Sequence, residues 1–257
     1  MRITIHIDTD NDTLILPLSY HHQLQALIYK MIGRGVSKDI HNNQSIKSLV
    51  FSQLKGEFVL DKEQKLIVFS GDISFSIASS DDFLLLSIVS NLIGNKKYDL
   101  LGQKINVVKV VPEENIIPNN DVLIIEMMSP VTVHKTVIED EKNKTVYFDP
   151  DNSEFNDALN KNYLHKIDIL SPSLPKDSFQ LFPYKNIKKV NILYKGFTII
   201  SYMGLFIFKG KKEQLSFLLD NGLGDRNPQG FGMFRIVNMK LWLPKENKYV
   251  HINFLAI

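Results

Sequence analysis

Apolar positions recur in two different periods along the first half of the chain. A spacing of two residues predicts strands, and a spacing of three or four predicts helices whose apolar stripe faces a core. The predicted order is strand, helix, strand, strand, helix, strand, over Arg2–Asp8, Tyr20–Arg34, Glu57–Asp61, Lys65–Ile77, Asp82–Ile93 and Lys104–Val111. This βαββαβ order is typical of the ferredoxin-like motif, an antiparallel sheet with helices on one face.

The second half repeats part of this pattern. Its predicted elements are the strand Val122–Met128 and a later strand, helix and strand, at Phe197–Phe208, Lys211–Asp220 and Phe231–Trp242. A shift of 130 residues places Ile77 on Ile207 and Asn91 on Asn221. Such self-similarity indicates a degenerate duplication of one structural unit.

We therefore predict an α+β protein of two tandem ferredoxin-like domains, each an antiparallel sheet with helices on one face. The Pro- and Asn-rich link Pro112–Asn120 predicts the boundary, which gives domains of residues 1–116 and 117–257. Between the predicted strands of the second half, the pattern indicates a hairpin from Thr136 to Phe148 that turns at Glu141–Lys144. A helix is predicted over Ser153–His165.

The segment Asn221–Met233 is unusually rich in glycine, with Gly222, Gly224, Gly230 and Gly232. Glycine permits positive φ and close approach of backbone to a ligand, and successive exposed N–H groups favour anions. The segment lacks the Lys-Ser/Thr of a P-loop, and it is predicted to follow a helix, unlike a dinucleotide-binding turn. The plain alternative, a helix cap followed by a tight turn, needs only one or two glycines.

Composition narrows the class of protein. The apolar fraction of 44% and the charged fraction of 23% are those of an ordinary globular protein. There is no cysteine, which excludes disulfides and thiolate-bound zinc. No apolar run approaches the roughly 20 residues that cross a bilayer, and the alternating N-terminus does not resemble a signal peptide, so we expect a cytoplasmic protein with no membrane partner.

The net charge of +2 does not by itself indicate nucleic acid, but the basic residues are unevenly distributed. Lysine outnumbers arginine 26 to 4, and two of the four arginines, Arg226 and Arg235, lie in or beside the glycine-rich segment. Lysines cluster nearby, and they include Lys185, Lys188, Lys189, Lys195, Lys209, Lys211 and Lys212. Such clusters are often only solvated surface, but a neighbouring glycine-rich loop favours a binding role.

The first predicted helix carries polar residues on a face away from its apolar stripe. Ser19 stands where an N-cap is expected, and His22, Gln25 and Tyr29 share the polar face. Beyond the helix, His41 stands in a polar stretch, where it would titrate near its ordinary value of about 6.5 and could shuttle protons. Spacings for zinc or calcium ligands fail, including Asp8-x-Asp10-x-Asp12, which lacks the glycine and glutamate of a calcium loop.

The pattern Gly-x-Gly, five residues, Gly-Phe-Gly near the C-terminus resembles the signature loop of the CRISPR-associated endoribonucleases that cut repeat transcripts into guide RNAs. These proteins belong to the glycine-rich-loop RAMP superfamily. Family members often carry a helix with a Tyr, then a His, then a Lys six residues on. Leu24–Tyr29, His41 and Lys47 match that arrangement.

The resemblance implies a metal-independent endoribonuclease without a cofactor. In this class the 2′-hydroxyl beside the scissile phosphate attacks, which leaves a 2′,3′-cyclic phosphate and a 5′-hydroxyl. His41 and Tyr29 are the candidate base and acid, in either order, Lys47 is the candidate charge stabiliser, and His22 is a reserve. The candidate RNA-binding residues are Gly222, Gly224, Arg226, Gly230, Phe231, Gly232, Lys188 and Lys189.

The partner implied by the resemblance is CRISPR repeat RNA in a prokaryotic cytoplasm, with other effector subunits as further candidates and a monomer or homodimer as the assembly. One alternative is a non-catalytic RNA-binding subunit of a CRISPR effector complex, which would need neither His41 nor Lys47. Another is an unrelated α+β ligand-binding protein, in which the lysine clusters would be incidental.

Overall fold

A computed structural model describes residues 1–33, 48–94, 96–139 and 142–237. The elements of the N-terminal half are β1 (Arg2–Thr9), β2 (Thr13–Pro17), α1 (His21–Ile32), β3 (Val50–Phe51), β4 (Lys55–Asp61), β5 (Leu66–Ala78), α2 (Asp82–Gly94), β6 (Lys97–Leu100) and β7 (Gln103–Glu113). Those of the C-terminal half are β8 (Val122–Met127), β9 (His134–Glu139), β10 (Lys142–Tyr147), α3 (Ser153–Leu170), β11 (Gln180–Tyr194), β12 (Phe197–Lys209), α4 (Lys212–Asn221), a 3-10 turn (Asn227–Gln229) and β13 (Phe234–Val237).

The N-terminal half forms one antiparallel sheet in the order β2–β5–β1–β7–β6, and β3 and β4 also pair with β5. Alternate residues of the central strands point toward α1 and α2. The core between sheet and helices includes Ile5, Phe75, Ile28 and Leu85, all fully buried. The predicted helical stripe of α1 is therefore the face that packs on the sheet.

The C-terminal half forms an antiparallel sheet in the order β11–β12–β8–β13. Three of its four strands, β12–β8–β13, pair in the same way as β5–β1–β7 of the first sheet. In chain order, α3 and α4 correspond to α1 and α2. The predicted α+β class with ferredoxin-like units is confirmed. The chain passes from one sheet to the other between Glu113 and Val122, and the boundary after residue 116 remains a prediction.

Several predicted bounds shift. The hairpin β9–β10 exists, but Lys142 pairs with Glu139 and Lys144 with Val137, so Lys142–Lys144 belong to the strand and not to the predicted turn. Helix α3 continues beyond His165 to Leu170. Within the described ranges, no helix is both long and apolar enough to cross a bilayer.

The predicted N-cap of α1 is wrong. Tyr20, not Ser19, is the capping residue, and it makes no capping side-chain bond. The Ser19 hydroxyl instead accepts a hydrogen bond from the backbone N–H of Leu193, 3.2 Å away in the C-terminal half. The Tyr20 ring is buried and its hydroxyl accepts from the N–H of Leu54 at 3.0 Å, so packing decides how this helix begins.

Strand β11 was not predicted, because its sequence does not alternate cleanly. Its pairing with β12 shifts register between Lys185 and Lys188, which indicates a β-bulge. The bulge interrupts the two-residue period and leaves Lys188 and Lys189 exposed on this edge strand.

The two halves are joined by buried polar and aromatic contacts. The Arg2 side chain, only 2% exposed, donates to the carbonyls of Phe234 at 2.9 Å and Leu219 at 3.2 Å. The rings of His21 and Phe231 stack with their centroids 5.3 Å apart. Arg2 therefore has a structural role, which removes it from the four candidate functional arginines.

His21 is an unusual residue for this junction. It is buried, and among the described residues neither ring nitrogen has a hydrogen-bond partner. Burial lowers the pKa of His21 to about 4, because nothing at the junction compensates the charged ring for the lost water.

This burial predicts acid sensitivity. The unfolded chain, in which histidine titrates near about 6.5, takes up the proton before the folded chain does, so stability is full above that pH and is lost between about pH 6.5 and 4. We expect this residue to cost about 2 kcal/mol at pH 5 relative to pH 7.5. Urea unfolding at both pH values should show a smaller difference for His21→Leu than for the wild type. An unchanged difference would contradict the assignment.

Candidate functional site

The glycine-rich segment is a closed loop held by its own backbone. The Leu223 N–H donates to the Gly232 carbonyl at 2.9 Å, and the Gly232 N–H donates to the Pro130 carbonyl at 2.8 Å. Asn227 lies inside the loop, and its side-chain amide donates to the carbonyls of Leu223 and Phe231, both at 3.0 Å. The loop is thus a defined structure.

A lysine from α3 fills the concave side of this loop. Lys166 Nζ donates to the carbonyls of Gly222 at 3.0 Å and Gly224 at 2.8 Å, and to Asn227 Oδ1 at 2.6 Å. Burial lowers the pKa of Lys166 to about 7, and the nearby carboxylate of Asp225 acts in the opposite direction. Three acceptors match the three donors of an ammonium group, so the charged form is fully hydrogen-bonded here.

The tip of the loop is fixed by Asp225. Its carboxylate accepts from the His134 N–H at 3.0 Å and from Asn162 Nδ2 at 2.6 Å, and it lies 2.7 Å from His134 Nδ1. Arg226 follows in the left-handed conformation, with φ of 60°, and donates to Gln229 Oε1 at 3.3 Å. The clamp on Asp225 therefore sets where the Arg226 guanidinium lies.

The structure shows a packing reason for the glycines, and their predicted role in RNA binding stays a prediction. Gly222, Gly224, Gly230 and Gly232 are all buried, and they face protein. At Gly230, where φ is 90°, a Cβ would lie 2.6 Å from Phe51 Cε2 of the N-terminal half. These residues are small so that the loop can pack against its own chain, and a substitution at Gly230 would disturb the junction between the halves.

Phe231, a predicted RNA-binding residue, does not present its side chain at the surface, and its role in RNA binding stays a prediction. Its ring is fully buried and stacks on His21. Of the predicted loop contacts, Arg226 alone presents a partly exposed side chain, and Lys188 and Lys189 are exposed on β11.

The polar face of α1 meets this loop. Gln25 joins α1 to the loop and to β11, since its Nε2 donates to the Pro228 carbonyl at 2.5 Å and its Oε1 accepts from the Tyr194 hydroxyl. Gln25 also hydrogen-bonds Tyr29, and the His22 ring lies edge-on to Tyr194 with centroids 5.7 Å apart. The candidate residues Tyr29 and His22 therefore lie beside the loop tip that carries Arg226.

Both tyrosines of this group hold their protons. Burial raises the pKa of Tyr29, and hydrogen bonding with Gln25 opposes the rise. Burial, with Tyr29 adding to it, raises the pKa of Tyr194 to about 12, against the opposing effects of Arg226 and Gln25. At neutral pH both phenols therefore stay protonated, and the Tyr194 proton is the one donated to Gln25.

The other predicted catalytic residues, His41 and Lys47, lie outside the described residues, as does Arg34. Arg235 is within hydrogen-bond distance of Glu126, with Nε to Oε2 at 2.8 Å, so it serves the pairing of β13 with β8. Among the arginines in the described residues, Arg226 is therefore the one that remains a candidate for contact with a ligand.

Sequence reasoning missed Lys166, Asn227 and Tyr194. A signal for Lys166 was present, because it shares the buried stripe of α3 with Phe155, Leu159 and Tyr163. A lysine on an apolar stripe indicates a buried cation with partners elsewhere in the fold. Tyr194 carried no such signal, since only the fold brings it to α1.

Two ferredoxin-like units and a glycine-rich loop next to the last described strand are the features on which the chain resembles RAMP proteins. Residues 111–236 match the family model described as CRISPR associated protein Cas6, C-terminal. With the relatives below, this match shows that the chain resembles the Cas6 family.

Relatives match over nearly the whole chain. CRISPR-associated endoribonuclease Cas6 1 of Methanocaldococcus jannaschii is 28% identical over 246 residues, which cover 93% of each chain. The structure of a Cas6-related gene product from Pyrococcus furiosus superposes with a TM-score of 0.82 at 26% identity, over 92% of this chain and 98% of that one. A structure titled as a RAMP protein binding different RNA substrates superposes with a TM-score of 0.81 at 20% identity, over 93% and 100%.

The contacts of Lys166 predict a large effect on stability. Lys166→Met keeps the length of the side chain but leaves three buried acceptors without a donor, and each such group costs about 1–3 kcal/mol. We expect the free energy of unfolding to fall by about 2–4 kcal/mol, measured by urea unfolding. The matched control is Lys161→Met on the exposed face of the same helix, with an expected change within about 0.5 kcal/mol. Equal effects of the two changes would contradict the role of Lys166.

Proposed function

We propose that this protein is an endoribonuclease that binds the repeat of a CRISPR transcript and cuts within it, without a metal ion. The observation that carries the proposal is the meeting of Arg226 at the loop tip with the Tyr29 face of α1, joined by Gln25. A fixed cation suits an RNA phosphate, and a protonated phenol beside it suits proton donation during its transfer.

The chemistry needs three functions from the protein. A base takes the proton of the 2′-hydroxyl, whose oxygen attacks the adjacent phosphorus as the bond to the 5′-oxygen breaks. An acid protonates that departing oxygen, and a cation stabilises the charge that develops on the phosphoryl oxygens. The products carry a 2′,3′-cyclic phosphate and a 5′-hydroxyl.

Each of these three functions has a candidate residue in the chain. Tyr29 donates a proton or hydrogen bond, because burial raises its pKa and keeps the phenol protonated at neutral pH. His41 acts as the base, Lys47 stabilises charge, and Arg226 holds a phosphate. Lys188 and Lys189, exposed on β11, contact the backbone of the bound strand.

The alternative is a RAMP subunit that binds RNA without cutting it. It would use the same arginine and lysines. The similar structure titled as a RAMP protein binding different RNA substrates is the reason to consider this alternative. Such a subunit would not require the Tyr29 hydroxyl. A cleavage assay therefore distinguishes an endoribonuclease from a subunit that only binds RNA.

Incubation of the purified protein with the repeat RNA of its host in EDTA tests the reaction class. We expect cleavage at one position and 5′-hydroxyl products. Replacing the ribose just upstream of the cut by deoxyribose should abolish cleavage and preserve binding, because only the attacking oxygen is lost. A 5′-phosphate product would instead indicate activated water and would refute the mechanism.

Single-turnover cleavage by two variants tests the catalytic residues. Tyr29→Phe removes one hydroxyl, and His41→Ala removes the proposed base, and each well-placed proton transfer contributes about 10²–10⁴-fold. We expect each variant to cut at least about a hundredfold more slowly while RNA affinity stays within a few-fold. Near-wild-type cleavage by His41→Ala would transfer the role of base to His22.

A further inference from the structure

A cleft of about 510 Å³ opens beside Arg226. Its other walls come from β-strands of the C-terminal half. The end of β10 supplies Tyr147, the β11–β12 connection supplies Tyr194, Lys195 and Phe197, and Thr198 adds a hydroxyl. Its size lies within the range of small-ligand pockets, roughly 300–1,000 Å³. Tyr194 and Arg226 belong both to this cleft and to the group around Gln25, so the two sites adjoin.

A tight turn fixes the rim of the cleft. Lys195 and Gly196 have φ of 48° and 85°, and Tyr194 pairs with Phe197 across them. Two central residues with positive φ are typical of a type I′ hairpin turn, whose twist matches the strands it joins. The turn therefore holds Lys195 and Phe197 side by side on a rigid hairpin.

Phe197 is strongly exposed to solvent at the hairpin turn, although a phenylalanine side chain is usually buried. Its side chain is 76% exposed beside a floor made by buried Tyr194 and Ile199. An exposed aromatic ring next to a cleft offers a surface on which a planar group can stack. Every nucleobase has such a face, and stacking of this kind tolerates any base.

Two cations line the cleft together with Phe197. Lys195 Nζ lies 5.9 Å from the centroid of Tyr194, and Arg226 lines the same cleft. In the described part of the chain neither is paired with a carboxylate, and the Arg226 Nε is buried without a hydrogen-bond partner.

We propose that this cleft binds one unpaired nucleotide of the RNA, with its base on Phe197 and its phosphate between Lys195 and Arg226. The inference rests on the proposed function and adds a subsite to it. Because the cleft adjoins Tyr29 through Tyr194, the nucleotide it holds is a neighbour of the scissile phosphate. The repeat must therefore be single-stranded at that position.

The test pairs a protein change with an RNA change. Phe197→Ala should weaken binding of the repeat RNA about tenfold, since base stacking on an aromatic ring is worth that much or more. In wild-type protein, an abasic site at one position beside the cut should cause a similar loss. The two losses should not add, because both remove the same contact. Additive losses at every position would overturn the proposal.

Three further variants sharpen the test. Phe83→Ala on α2 removes an equally isolated ring, 68% exposed and away from the cleft, and should leave affinity unchanged. Phe197→Trp should retain stacking and restore affinity. Lys195→Gln should lower the slope of log affinity against log salt by about 0.7, the value for one phosphate contact on a single strand.

The outcomes separate this subsite from the proposed function. If the wild type binds and cuts repeat RNA and Phe197→Ala does so equally well, the subsite is wrong and the function stands. If the wild type neither binds nor cuts repeat RNA, both are wrong. If a free nucleoside monophosphate binds the wild type tightly and Phe197→Ala loses that binding but keeps its RNA affinity, the cleft is a small-nucleotide site and the proposal is overturned.

Discussion

The ammonium group of Lys166 inside the glycine-rich loop is the interaction on which the site depends. Its three hydrogen bonds hold two glycine carbonyls and the Asn227 side chain around one point. Asn227 then closes the loop through two further carbonyls, and Asp225 anchors the tip to His134 and Asn162. A segment so rich in glycine has large backbone entropy when unfolded, so a fixed shape requires many such contacts.

That fixed shape serves the junction between the two halves. The buried loop packs on Phe51 and His21, with Phe231 stacked against the latter. Arg2 crosses the same junction to backbone carbonyls of the C-terminal half. Because the buried Arg2 guanidinium has these acceptors in the opposite half, the two sheets cannot move apart without leaving it unsatisfied. The proposed site is built across this junction, so its geometry depends on the same contacts.

Glycine clusters suggest close approach, and close approach does occur here, but between parts of one chain. The loop brings Gly222 and Gly230 toward α1 and β3, and it turns Arg226 toward the cleft. The partly exposed polar groups of this region are therefore side chains around the loop, since the loop glycines are buried. Tyr29 on α1 and Tyr194 at the end of β11 are the described partners in that arrangement.

The sequence by itself determined the fold class, the duplicated βαββαβ order and the polar face of α1, because apolar periodicity records which side of each element is buried. It also marked the glycine-rich segment and its resemblance to the Cas6 family. Only the tertiary structure decided that Phe231 is buried, that Ser19 bonds Leu193 instead of capping α1, and that Lys166 organises the loop. These contacts join residues far apart in the chain, and local periodicity carries no information about which distant residues will meet. The bulged strand β11 was hidden for a related reason, since its register is set by its partner β12.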